Sequence, residues 1–217
     1  LDPYRRQAAQ IEELRKLKEQ YRINGLKIQS TMIRSPIKSL LEEGRGFLDL
    51  AREWNVPFLI HSSINPVDLW AQAHDIVDIA EANPDIRFCV AHSCRFDKPA
   101  LDRILELPNC WYDCSAPRIH CELATRNSAT VAPKERRFPS DYSDPGQVLA
   151  DMAEAYPDKL MWGSDSPFQS WVTKDPPHLW STYAAEVEAL RRVPAPLFEK
   201  VASGNTLRCL GLDAFPC

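Results

Sequence analysis

No histidine occurs in the first 60 residues of this 217-residue chain, and none of its seven cysteines forms a CxxC pair. No apolar run approaches the roughly 18 residues that cross a bilayer. The net charge of −4 offers no basic field to nucleic acid or to an anionic membrane. No Gly-rich phosphate fingerprint follows a strand, which argues against a nucleotide-binding open sheet. The GxSxG elbow of an α/β-hydrolase is absent, so Ser164 in Gly163-Ser164-Asp165 is set aside as a nucleophile. No secretory signal opens the chain, and it does not begin with Met. The cysteines Cys89, Cys94, Cys110, Cys114, Cys121, Cys209 and Cys217 are odd in number, and the middle three lack zinc-finger spacing. They read as reduced, mostly buried thiols of a cytoplasmic protein.

What is present is an alternation of short apolar runs with amphipathic segments. Residues 3–21 read as a helix, with Ile11, Leu14, Leu17 and Tyr21 at spacings of three and four. Strands are expected at 26–28, 57–60, 86–91, 110–114 and 160–163. Helices are expected at 38–54, 67–82, 98–107, 145–155, 178–192 and 195–204, the first of these open to a split at Gly44 and Gly46. Residues 116–144 are polar, hold three prolines and are long for a connection between strand and helix. Strands alternating with helices of this length imply a parallel sheet. Five strands could form an open doubly wound sheet or most of an eight-stranded (β/α)8 barrel.

Three apolar strands end on a polar residue: Phe-Leu-Ile-His61, Phe-Cys-Val-Ala-His92 and Leu-Met-Trp-Gly-Ser-Asp165. The C-terminal ends of the strands are where a β/α barrel gathers its chemistry. His and Asp are also ligands that zinc or manganese takes. Each residue alone has a plain alternative. His61 or His92 could be a structural histidine, and Asp165 a turn residue before Pro167. The ordered set favours function and favours the barrel. Asp113 could face either way from its strand. Arg118 and His120 read as solvated loop residues. His74 and His178 read as surface residues, Trp111, Trp162 and Phe168 as core or pocket wall, and Arg5-Arg6 and Arg191-Arg192 as solvated helix faces.

Four stretches, VPFLIHSS, NPDIRFCVAHSC, DKLMWGSDSPF and FEKVASGNTLRCLGL, resemble the amidohydrolase superfamily over residues 22–212. The branch is the one that includes amino-carboxymuconate-semialdehyde decarboxylase, resorcylate-type decarboxylases and pyrone-dicarboxylate lactonase. The resemblance implies a TIM-type barrel with strands 4–8 present, in one domain over 1–217. Residues 1–21 would be a helix before strand 4, residues 22–192 the strands and their helices, and residues 193–217 a terminal helix and tail. It implies a metal-dependent hydrolase or decarboxylase acting on a small carboxylated molecule. His61 and Asp165 would be metal ligands, with zinc the first choice and manganese the second, and His92 and Asp165 would be catalytic. Lys27 falls where some superfamily members carry a carboxylated lysine, a role this branch does not use.

The family's first strand supplies a His-x-His pair that has no counterpart before His61. A catalytic zinc takes three protein ligands, and only two are in hand. The chain is therefore expected to be a fragment of the full enzyme, to bind metal weakly, and to pair with a retained N-terminal segment or a second copy. The alternative is a metal-free binding protein on a decayed barrel.

Overall fold

A computed structural model of the chain describes residues 1–170 and 179–213. Five strands form one sheet: β1 (Leu26–Ile28), β2 (Phe58–Ile60), β3 (Phe88–Val90), β4 (Cys110–Asp113) and β5 (Leu160–Met161). They lie side by side in chain order, and every pairing is parallel. The helices are α1 (Gln7–Gln20), the single turn α2 (Ser30–Ile33), α3 (Arg45–Trp54), α4 (Ala73–Ala82), α5 (Lys98–Glu106), α6 (Pro117–Thr125), α7 (Pro145–Ala155), α8 (Tyr183–Leu190), α9 (Ala195–Glu199) and α10 (Asn205–Leu210). No helix among the described residues is long and apolar enough to cross a membrane.

Because side chains alternate along a strand, the sheet has two unlike faces. Leu26, Phe58, Phe88 and Cys110 form one row, and Ile28, Ile60, Val90, Tyr112 and Leu160 the next. All nine are buried in the main core with Phe47, Ile76, Leu101 and Leu149 from the helices. Phe58 and Phe88 stack there with ring centroids 5.7 Å apart. The intervening residues, Lys27, Leu59, Cys89, Trp111, Asp113 and Met161, point the other way. Cys89, Trp111 and Met161 make a small second core with Cys209 of α10, while Lys27 is exposed. Arg87 ties α10 in place by donating from Nε to the Cys209 carbonyl at 2.7 Å.

Several boundaries differ from the sequence reading. The expected helix at 67–82 begins only at Ala73, because Asp68 folds the preceding residues into a turn. Its carboxylate accepts from the backbone N–H groups of Trp70 at 3.0 Å and Ala71 at 3.3 Å. Leu69 consequently faces solvent, 70 % exposed. The expected helix at 38–54 is split into a 3-10 turn (Ile37–Leu41) and α3, as the two glycines allowed. A Cβ on Gly44 would stand 2.8 Å from Leu40 Cα and from the Pro3 and Ser39 carbonyl oxygens, so glycine is required there. The polar stretch 116–144 is not wholly a loop, since it holds α6. The expected helix at 178–192 is narrower, Tyr183–Leu190, and Thr182 caps it by accepting from Ala185 N–H at 3.1 Å. The last expected helix, 195–204, is divided into α9 and a π-turn (Lys200–Gly204), and α10 continues it beyond the expected end. His178 and Cys217 lie outside the described residues. The other six cysteines are free and buried.

Candidate active site

The ladder of the sheet carries each predicted residue to the C-terminal rim. His61 N–H donates to the Ile28 carbonyl at 3.0 Å, which extends the pairing of β1 with β2 by one residue. Ala91 N–H does the same with Ile60 at 2.9 Å and delivers His92. The chain then turns through five successive left-handed residues, His92, Ser93, Cys94, Arg95 and Phe96, with φ between 48° and 63°. None is glycine, and each such residue costs about 1–2 kcal/mol. Strain of this kind concentrates at functional sites. Here the turn brings His92 and Arg95, three residues apart, into one cluster.

His92 and His61 are in direct contact: His92 Nε2 lies 3.0 Å from His61 Nδ1, with the rings edge-on. His61 Nε2 lies 3.2 Å from Arg95 Nη2. Arg95 Nη1 meets Nε2 of a third imidazole, His120, and Arg95 Nε donates to the Ser62 carbonyl at 2.9 Å. On the far side, His120 Nδ1 and His92 Nδ1 both face the Ser115 carbonyl, at 3.1 and 3.3 Å. His92 Nδ1 is also 3.0 Å from Ser115 Oγ, which donates in turn to the Asp113 carboxylate.

These partners determine the protons. A carbonyl only accepts, so His92 and His120 each carry a proton on Nδ1. His92 Nε2 is then bare and accepts from His61 Nδ1–H. His61 Nε2 and His120 Nε2 are bare in turn, and both accept from the guanidinium. All three imidazoles are neutral. Burial is the first cause, and it pushes His92 and His120 well below the ordinary histidine value. For His61, burial together with the neighbouring His92 and Arg95 pushes the value down to about 2. Arg95 is lowered to about 10, again by burial first, and Asp165, Asp68 and Asp113 oppose the shift.

Asp113, whose direction the sequence left open, is buried and faces the open side of the sheet. It accepts from the backbone N–H of Ser115 at 2.8 Å and of His92 at 3.1 Å. Asp165 sits four residues beyond β5 with a left-handed φ of 57°. It lines a cavity of about 540 Å3 on the open face with Lys27, His92, Asp113, Ser115 and Trp162. Burial and the Asp113 charge raise its pKa, against Lys27 and Arg95. His61 lines a different cavity, of about 920 Å3, with Arg95, Arg34, Thr31 and Asp68. His92 thus stands between the two, touching His61 on one side and sharing the inner cavity with Asp165 on the other. The described residues make no hydrogen bond between His61 and Asp165.

The sequence reading missed Arg95, Ser115 and the role of His120. His120 is buried at 5 % exposure on α6 rather than solvated in a loop, because the loop reading overlooked that helix. Phe168 is 61 % exposed and is not pocket wall. His74 is held against the Asp97 carboxylate at 3.2 Å. Trp111 is core, and Trp162 lines the inner cavity, as read.

Both His61 nitrogens are engaged, one by His92 and one by a cation. Among the described residues no three His, Cys, Asp or Glu side chains are grouped so that they could hold a metal. The arrangement as it stands does not fit a divalent ion.

Solved structures share this architecture at low identity. An uncharacterised TIM-barrel protein from Bordetella bronchiseptica matches with a TM-score of 0.62 at 14 % identity, covering 94 % of this chain and 61 % of that one. Dihydroorotase from Campylobacter jejuni matches with a TM-score of 0.60 at 16 % identity, covering 94 % and 62 %. A 5-carboxyvanillate decarboxylase from Novosphingobium aromaticivorans, with bound manganese, matches with a TM-score of 0.50 at 14 % identity, covering 88 % and 57 %. The chain spans less than two thirds of the length of each. At such identities the likeness is one of fold. No curated protein matches the sequence. The amidohydrolase family pattern, however, runs through residues 3–212, nearly the whole chain, and with the motifs at the strand ends in their expected order the chain belongs to the amidohydrolase family.

Proposed function

We propose that this chain carries the later strands of an amidohydrolase barrel, β1 to β5 standing for its strands 4–8, and with them the proton-transfer part of a hydrolase or decarboxylase site. The substrate would be a small carboxylated molecule held in the inner cavity. The observation that carries this reading is the contact of His92 Nε2 with His61 Nδ1 at 3.0 Å, at the edge of a cavity that also holds Asp165 and Lys27.

His92 is the acid or base. Its Nδ1–H is occupied by Ser115, so Nε2 is the nitrogen that exchanges a proton. As a neutral imidazole it takes a proton from substrate or water at Nε2 once the bond from His61 Nδ1–H opens, and gives that same proton back later in the reaction. Lys27, the exposed cation of the open face, suits the charge of a carboxylate. Asp165, with its raised pKa, suits a group that holds a water or trades a proton.

A panel of small aromatic and unsaturated carboxylic acids and lactones tests the reading, with release of carbon dioxide or ring opening as the readout. Turnover by the chain that falls roughly 10²–10⁴-fold in His92→Gln supports it. Turnover unchanged in His92→Gln contradicts it. A second reading, a metal-free binding protein, is favoured by the guanidinium among the histidines. It predicts that such acids bind and are never turned over.

A further inference from the structure

We infer that the Arg95 guanidinium is the resident cation of the histidine cluster: it fills the point on which His61 Nε2 and His120 Nε2 converge, and its removal opens a two-imidazole site for a divalent transition metal.

The inference stands on geometry, independently of the proposed activity. The Ser115 carbonyl leaves His120 with a bare Nε2, and the chain of donors through His92 leaves His61 with another. Two lone pairs from two elements, the end of β2 and α6, meet one group. That group is Arg95, with Nη2 at 3.2 Å from His61 and Nη1 on His120. A neutral imidazole with a free lone pair and its other N–H held by an acceptor, the Ser115 carbonyl for His120 and His92 Nε2 for His61, is the form that ligates metals. Here both such lone pairs are spent on a guanidinium.

Arg95 is not an incidental neighbour. Among the described residues no carboxylate comes within ion-pair distance of it, and its hydrogen-bond partners are one carbonyl and two neutral rings. A partly buried cation with only neutral acceptors needs them to stay neutral and unmetallated. The left-handed run His92–Phe96 is what points it inward. A divalent ion cannot share the point with a guanidinium, since like charges at about 4 Å repel strongly even at a surface-like dielectric. Arg95 is therefore a specific cause, beside the missing third ligand, of the mismatch between the metal expected of the family and the residues described here.

The test is a zinc titration of the chelator-treated chain by calorimetry, with cobalt absorption as a second readout. Wild type should bind zinc weakly and give no intense visible cobalt band. Arg95→Ala should bind zinc about tenfold or more tighter. Adding His120→Ala should abolish that gain, and Arg95→Lys, which keeps a cation, should stay at the wild-type level. Wild-type zinc binding as tight as that of Arg95→Ala, or a gain that survives His120→Ala, would overturn the inference. If Arg95→Ala does not fold by circular dichroism, the wild-type chain decides by NMR. Zinc that leaves the His61 and His120 ring signals in place supports the inference, and zinc that shifts them refutes it.

Discussion

The two faces of one sheet have been given opposite work. On the covered face Leu26, Phe58, Phe88 and Tyr112 meet helices and no water. On the open face, one residue along in each strand, stand Lys27, Leu59, Cys89, Trp111 and Asp113, beside a cavity. The strands are three or four residues long at most, so each contributes only one or two side chains to either side. Stability is therefore concentrated on one face, and the other is free to hold titratable groups. The rim between them, where His61, His92 and Arg95 gather, takes its rigidity from the covered face and its chemistry from the open one.

Truncations on the two sides should separate most clearly. Phe58→Ala or Phe88→Ala removes a stacked, fully buried ring and should cost about 3–5 kcal/mol in urea unfolding. Leu59→Ala, next to Phe58 in β2 but half-buried on the open face, should cost about 1 kcal/mol. Equal losses would mean that the open face contributes as much to stability as the covered one.

Acid should act through the rim. His61, His92 and His120 have folded-state pKa values below the unfolded 6.5. Above pH 6.5 neither state is protonated and their contribution is constant. Below it the unfolded chain takes up protons that the folded chain refuses, so stability falls. Each histidine that stays neutral should add about 1.4 kcal/mol per pH unit to the slope. Denaturant melts from pH 7 to 5 should show the decline, and His120→Phe should make it shallower by about one histidine's share.

The smallest effect concerns the turn. Ser93→Gly or Cys94→Gly relieves a left-handed residue, φ 49° or 48°, and should stabilise the chain by up to about 1 kcal/mol if the lost side-chain packing is small. Cys94 is fully buried in the main core, whereas Ser93 gives up one long hydrogen bond, Oγ to the Asp113 carbonyl at 3.3 Å, so Ser93→Gly is the cleaner reading of strain.

Much of this arrangement was legible in the sequence. The five apolar runs gave the strands, and their polar ends gave His61, His92 and Asp165, because a buried parallel strand leaves few other places for a polar residue. The alternation also contained Asp113, two residues after Trp111 on the same face, but nothing local says which face is open. Arg95 was not legible. Its placement depends on five non-glycine residues adopting φ > 0, a conformation that no local propensity favours and that only the surrounding packing enforces. His120 was hidden for a simpler reason: a stretch with three prolines read as loop, although Pro117 sits at the first turn of α6, where proline is tolerated. Leu69 shows the reverse error, an apolar residue at helical spacing that the Asp68 turn carries out to solvent.

The most direct test of the account is long-range 1H–15N NMR of the histidine rings from pH 7 to pH 5. His61, His92 and His120 are expected to stay neutral throughout, each with its proton on Nδ1 and a bare Nε2. A ring among these three that titrates near 6.5, or His61 or His92 protonated on Nε2, would contradict it.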